Sequence, residues 1–154
     1  MSTAERNRII IAANPTAGAK AIDSPIGKLV SAVTEAGYRP ELQTDLAKMA
    51  VEVADAREKG DLRAVIAAGG DGTASAVANR IAADIPLLPF PLGTENLLAR
   101  FLSIRADPAQ ICDILRDGQT MQFDAGLADG RMFLLMASCG FDADVVRRVQ
   151  DRRR

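Results

Sequence analysis

Strand-length and helix-period segments alternate along the first three-quarters of the chain. Arg8–Ala13 carries Ile9, Ile10 and Ile11 without a polar break, the pattern of a strand buried on both faces. Ser24 before Pro25 reads as an N-cap with proline at the first helical position. Ile26, Leu29, Val30 and Val33 then recur at i, i+3, i+4 and i+7 until Gly37. A short strand over Arg39–Thr44 follows. Asp45 caps a second helix, with Leu46, Met49, Ala50, Val53 and Ala54 on one face and Gly60 at its end. Ala64–Ala68 and Pro86–Phe90 predict two more strands. The helix after the first carries Ala74, Val77, Ala78 and Ile81, and the one after the second carries Leu97, Leu98 and Phe101. Asp107-Pro108 opens a further helix with Ile111, Ile114 and Leu115, closed by Gly118. This alternation predicts an α/β fold: right-handed crossovers and a mostly parallel sheet covered by helices on both faces, a three-layer sandwich.

After Gly118 the pattern changes. Gln119–Leu127 and Arg131–Ser138 read as two strands of a hairpin turning at Asp129-Gly130, with Phe123, Phe133, Leu134, Leu135 and Met136 as apolar content. A helical stretch runs from Asp144 to Arg154. A lone hairpin and one helix do not bury their own apolar faces. The expectation is therefore an α/β domain over residues 1–118 and, over 119–154, the beginning of a β-rich second domain. The chain is then a fragment of a longer protein, with Phe133, Leu135 or their neighbours exposed.

Composition narrows the chemistry. Nearly half of the 154 residues are hydrophobic and a quarter are charged, enough for a core. Nineteen basic against twenty acidic residues leave a net charge of -1, no platform for nucleic acid. There is no histidine, which excludes a Ser-His-Asp triad, a histidine base and a histidine-ligated metal. Two cysteines, Cys112 and Cys139, form no disulfide framework and suit a reducing cytoplasm; both are expected to be small buried groups. The first residues lack a signal-peptide core, and no apolar run is long enough for a transmembrane segment. The arginines at 147, 148 and 152–154 give the terminus a local charge of +4, read either as a solvated helix or as a contact for anionic lipid headgroups.

Three glycine-containing loops follow the carboxyl ends of strands one, three and four, and each precedes a helix. In an open parallel sheet that edge is where ligands bind, and helix N-termini there favour anions. Gly69-Gly70-Asp71-Gly72-Thr73 is the sharpest of the three. Its glycines let a phosphate approach the backbone, and Thr73 is placed to cap the helix and bond a phosphate oxygen. A carboxylate such as Asp71 beside phosphates needs Mg²⁺, a substrate proton or a backbone donor. The alternative is a tight turn in which Asp71 is only a helix cap. The Walker A pattern is missing, since the nearest text is Gly18-Ala19-Lys20-Ala21. The dinucleotide pattern fails at Ser75, which stands where its third glycine belongs.

Asn14-Pro15-Thr16-Ala17-Gly18, Gly69-Gly70-Asp71-Gly72-Thr73, the stretch Pro91–Arg100 and Gly140-Phe141-Asp142-Ala143 together resemble the diacylglycerol kinase catalytic domain. That family includes sphingosine and ceramide kinases and bacterial soluble lipid kinases. The resemblance implies an NAD kinase/diacylglycerol kinase-like N-terminal domain and an ATP site between it and a C-terminal β-sandwich. By motif match, ATP would be held by Asn14, Pro15, Thr16, Ala17, Gly18, Thr44, Gly69, Gly70, Asp71, Gly72, Thr73, Ala74, Ser75, Gly93, Thr94 and Asn96. Thr44 is equally read as a capping residue before Asp45. Mg²⁺ is the implied cofactor beside ATP. Asp71 is the candidate catalytic group within the chain, although the resemblance places the general base, and a further Mg²⁺ site, beyond Arg154. No metal ligand is assigned. In the family an Asp often follows the Asn of the Gly-Thr-x-Asn motif; here it is Leu97. Arg100 is read as a structural hydrogen-bonder.

The implied activity is transfer of the ATP γ-phosphate to a lipid hydroxyl, by a cytoplasmic protein peripheral to a membrane, with a lipid substrate at the membrane surface and a homodimer among the expected assemblies. The chain alone is expected to be inactive. Two alternatives stay open: a small-molecule kinase resembling NAD kinases, which share the Gly-Gly-Asp-Gly-Thr motif, and a non-catalytic nucleotide-binding module.

Overall fold

A computed structural model describes residues 6–13 and 23–151. Four parallel strands form the main sheet: β1 (Arg8–Ala13), β2 (Arg39–Gln43), β3 (Leu62–Gly69) and β4 (Leu87–Pro91), in the order β2-β1-β3-β4. The connecting helices are α1 (Pro25–Glu35), α2 (Leu46–Lys59) and α3 (Asp71–Ala78), and α4 (Leu97–Phe101) and α5 (Pro108–Asp117) follow β4. This is the α/β sandwich that the alternation predicts.

Local chemistry sets the helix ends. The Ser24 hydroxyl accepts from the Gly27 amide at 3.0 Å, Asp45 from Ala47 and Lys48 at 2.8 and 3.2 Å, and Asp107 from Ala109 at 3.0 Å. Gly60 and Gly118 close α2 and α5 at φ 75° and 70°, a left-handed conformation that a β-carbon disfavours. Two helices are shorter than their apolar pattern. α3 ends at Ala78, so Ile81 lies beyond it, and α4 is a single short turn-and-a-half in which Leu98 is buried and Phe101 exposed.

The core lies on both sides of the sheet. Ile9 and Ile11 of β1, Ala64 and Ile66 of β3 and Leu88 and Phe90 of β4 pack against Ile26, Leu29 and Val33 of α1 and Ile111, Cys112 and Leu115 of α5. The alternate residues Ile10, Ala12, Val65 and Ala67 face the other way, where α2 and α3 bury Met49, Val53, Ala56, Ala74 and Val77. Pleat alternation with helices on both faces explains why β1 is apolar throughout.

Among the described residues one charged side chain, Arg8, is buried, at the opposite end of the sheet from the β3–α3 and β4–α4 loops. Arg8, 7% exposed, pairs bidentately with Glu41 of β2 (2.7 and 2.9 Å) and with Glu52 and Asp55 of α2 (2.7 and 2.9 Å). Its proton is held more firmly than usual, chiefly by the Glu41 and Asp55 hydrogen bonds, and Glu41 is lowered in turn, chiefly by its hydrogen bond from Arg8.

The chain divides into two compact units between Phe123 and Asp124. The second unit holds a two-stranded antiparallel sheet, β5 (Gly126–Ala128) and β6 (Arg131–Phe133), and helix α6 (Phe141–Asp151). Asp129 and Gly130 take positive φ values of 47° and 72°, the hairpin turn expected of Asp-Gly. The strands are much shorter than Gln119–Leu127 and Arg131–Ser138. A two-stranded ribbon with no third strand pairs only beside its turn. Gly126 is required there, because a β-carbon would run into the Phe133 ring. The helix begins at Phe141 rather than Asp144. Phe133 is half-buried, while Leu127, Leu135, Met136 and Phe141 are exposed. Cys139 is exposed too, correcting the expectation that it is buried, because the Cys139-Gly140 segment precedes α6 with no core around it; Cys112 is buried as expected.

Candidate functional site

The register places the ends of β1, β3 and β4 side by side: Ala13 lies opposite Ala68, and Gly69 opposite Pro91. The β3–α3 and β4–α4 loops therefore leave the same sheet edge as neighbours. Leu92 N–H donates to Gly69 C=O at 2.9 Å, carrying strand pairing into the loops.

Past that bond the two backbones touch. A β-carbon on Gly93 would stand 2.6 Å from the Gly70 Cα and 2.9 Å from Asn96 Oδ1, and one on Gly70 would stand 3.3 Å from the Gly93 Cα. Gly69 is needed for a different reason: its β-carbon would collide with the Thr73 hydroxyl. Nothing lies within 4 Å of the β-carbon position of Gly72, which is exposed. Gly69 thus serves helix packing and Gly70 loop packing, while Gly72 faces open space.

Asn96 builds the second loop. It takes a left-handed φ of 50°, its Oδ1 accepts from Gly93 N–H at 2.9 Å and its Nδ2 donates to Gly93 C=O at 2.7 Å. This reciprocal pair leaves its side chain unable to cap α4. The cap comes from Asp71: Oδ2 accepts from Leu97 N–H at 2.9 Å and Oδ1 from Leu98 N–H at 3.0 Å. Backbone donors thus engage this carboxylate, and they belong to the neighbouring helix rather than its own. Gly70 is the N-cap of α3, without a side-chain cap bond. Thr73 is the third residue of α3, so it does not cap the helix as expected; its amide donates to Gly70 C=O at 2.9 Å.

At the start of α3, the amides of Asp71 and Gly72 precede Thr73, the first residue whose amide bonds back to Gly70, so they have no carbonyl of their own helix to bond. Together with the helix dipole they favour an anion there.

Gly69 to Ser75, Gly93, Thr94 and Asn96 are therefore brought together at one edge. Ala74 is buried against the sheet, with its amide donating to Gly70 C=O at 3.2 Å. Thr94 is exposed at the loop tip. Thr44 follows β2, on the far side of β1 from β3, and Asp45 rather than Thr44 caps α2. Asn14, Pro15, Thr16, Ala17 and Gly18 lie outside the described residues. Among the described residues no group of three or more His, Cys, Asp or Glu side chains is placed to hold a metal ion, and both Asp71 oxygens accept from amides. The start of α3 at this edge has the polarity that suits an anion, and the described residues offer no ligand set for Mg²⁺.

Sequence reasoning missed the Asp71 cap, because nothing local in the sequence links Asp71 to residues 26 and 27 positions later. It also missed Arg8, whose signal was a lone cation at the start of an otherwise apolar strand.

Residues 8–128 match the family model of the diacylglycerol kinase catalytic domain. The diacylglycerol kinase of Staphylococcus epidermidis is 31% identical over 140 residues, covering 88% of this chain and 44% of that protein. The diacylglycerol kinase of Bacillus subtilis is 34% identical over 143 residues, covering 88% and 46%. A probable lipid kinase YegS-like protein of Pseudomonas fluorescens is 37% identical over 135 residues, covering 83% and 44%. The chain spans less than half the length of each of these relatives. With the family model spanning both glycine loops and the sheet beneath them, the chain belongs to the diacylglycerol kinase catalytic domain family.

Proposed function

We propose that this chain carries the nucleotide-binding half of an ATP-dependent lipid kinase, which transfers the γ-phosphate of ATP to a lipid hydroxyl at a membrane surface. The observation that carries the reading is the pairing of Gly70 with Gly93, which sets two glycine loops against each other at the carboxyl edge of a parallel sheet. The phosphates lie over Gly69–Thr73, where the amides of Asp71 and Gly72 and the open face of Gly72 receive them. Thr94 and the Gly93–Asn96 loop flank them, and Asn14–Gly18 and Thr44 complete the ATP contacts from β1 and β2. Phosphoryl transfer depends on positioning and on electrostatic neutralisation of the transferred group. The residues of this chain supply the positioning: they fix the phosphates by backbone donors and orient them toward the acceptor. Mg²⁺, when bound with ATP, supplies charge neutralisation. The acceptor pocket, the metal ligands and the group that takes the hydroxyl proton belong to residues beyond Arg154, with residues 119–154 beginning the domain that holds them. By itself the chain binds ATP weakly and transfers no phosphate.

Amide NMR during an ATP titration tests the nucleotide site. Resonances of Gly69–Thr73 and Gly93–Asn96 are expected to shift while those of α5 stay fixed. Shifts confined to other residues would overturn the assignment. Lipid transfer is tested with labelled ATP, Mg²⁺ and mixed micelles of diacylglycerol, sphingosine and phosphatidylglycerol. The 154-residue chain is compared with a form extended by its natural downstream residues. Turnover only by the extended form is expected; equal turnover would place the reacting groups within the chain.

A further inference from the structure

Asp71 is the one acidic residue inside the glycine motif, and its carboxylate is spent on another element. Its two oxygens hold the first two amides of α4, at 2.9 and 3.0 Å, across 26 and 27 residues of chain. Those amides have no carbonyl of their own helix to bond. The N-cap residue Asn96 does not serve them, since its side chain is closed on Gly93 at both ends. Asp71 is therefore the cap of α4, supplied from α3.

Three links then join the two loops in sequence: the Leu92–Gly69 backbone bond, the Gly93–Gly70 contact and the Asp71–α4 cap. The first two are a single hydrogen bond and a van der Waals contact. The third is a charge-assisted pair of bonds at the far end of the β4–α4 loop, the strongest of the three by bond type. A proton acceptor must also turn an oxygen toward the attacking hydroxyl. Each Asp71 oxygen already accepts one amide bond, and taking up a proton would discharge the carboxylate and weaken its hold on Leu97 and Leu98.

We propose that Asp71 is a positioning residue, which clamps the β4–α4 loop against the phosphate-binding loop, and not the group that accepts the proton of the lipid hydroxyl. The inference rests on the nucleotide reading above for its consequence in ATP binding, but not for the clamp itself.

Hydrogen exchange and ATP calorimetry on the full chain separate the possibilities, using Asp71→Ala and Asp71→Asn. In Asp71→Ala, exchange at Leu97 and Leu98 is expected to accelerate about tenfold or more, with the Ile66 amide in the core unchanged. ATP affinity is expected to fall by about the same factor. Asn keeps one acceptor oxygen but presents an N–H₂ to the second amide, so Asp71→Asn should lie between wild type and alanine in both measurements. A group acting only as a base would leave exchange and ATP affinity untouched in Asp71→Asn. Unaltered exchange at Leu97 and Leu98 in both variants would overturn the clamp. Faster exchange with ATP affinity held within about twofold would overturn the positioning role. A wild-type chain that binds no ATP would overturn the nucleotide reading instead, while the exchange comparison would still decide the clamp.

Discussion

Gly93 stands closer to Gly70 than any side chain allows: a β-carbon on Gly93 would lie 2.6 Å from the Gly70 Cα, while one on Gly70 would lie 3.3 Å from the Gly93 Cα. The contact is asymmetric, and neither partner can yield easily, because both atoms met are backbone. Gly93→Ala is therefore expected to force the β4–α4 loop outward at a cost of about 1–3 kcal/mol, with Gly70→Ala milder. Thermal unfolding of the two variants measures this. Equal midpoints for wild type and Gly93→Ala would show that the loops do not touch.

Gly72 gives the complementary case. A β-carbon there meets nothing within 4 Å, and the residue sits in the first turn of α3 without a left-handed φ. Gly72→Ala should leave stability unchanged or raise it by about 0.5–1 kcal/mol through the unfolded chain. If phosphate approaches that face, the same substitution should weaken ATP binding by about tenfold. Calorimetry with ATP beside a urea titration reads both quantities, and undiminished affinity would move the phosphates away from Gly72.

Arg8 ties β1 to β2 and α2 through three carboxylates that are a third or more exposed. Arg8→Met leaves those carboxylates facing one another and should cost about 2–3 kcal/mol at neutral pH, below the figure for a fully buried pair. The pH dependence follows from Glu41, whose pKa is lowered by Arg8 from an ordinary value near 4.5. A depressed carboxylate contributes stability that is present above its ordinary value and lost as pH falls through its folded value. The gap between wild type and Arg8→Met in urea midpoint should hold from neutral pH down to about 4.5 and narrow below it. A gap independent of pH would assign the effect of Arg8 to its packing.

The two cysteines should react at different rates. Burial pushes the Cys112 thiol up, which lowers its thiolate fraction, and the side chain is enclosed by α1 and the sheet. Cys139 is exposed. A thiol reagent at pH 8 is expected to label Cys139 in the native protein and Cys112 only on unfolding. Rapid labelling of both would show that the α5 face opens.

What the sequence determined by itself was everything governed by neighbours a few residues apart. Ser24, Asp45 and Asp107 cap their helices, Gly60 and Gly118 end theirs, and the uninterrupted isoleucines of β1 form a strand, because caps, left-handed glycines and pleat periodicity act within one turn or one strand. The glycine-rich text also pointed to the sheet edge, since a loop between a parallel strand and its helix has only one edge on which to lie. The tertiary structure decided what those residues do there. Only the adjacency of β3 and β4 brings Gly70 onto Gly93, and it turns Asp71 from a cap of its own helix into the cap of α4. Likewise, only the order β2-β1-β3-β4, with α2 packed on β1, gathers Glu41, Glu52 and Asp55 around Arg8. These contacts join residues 23 to 47 positions apart, where local propensity carries no information and strand order alone selects the partner.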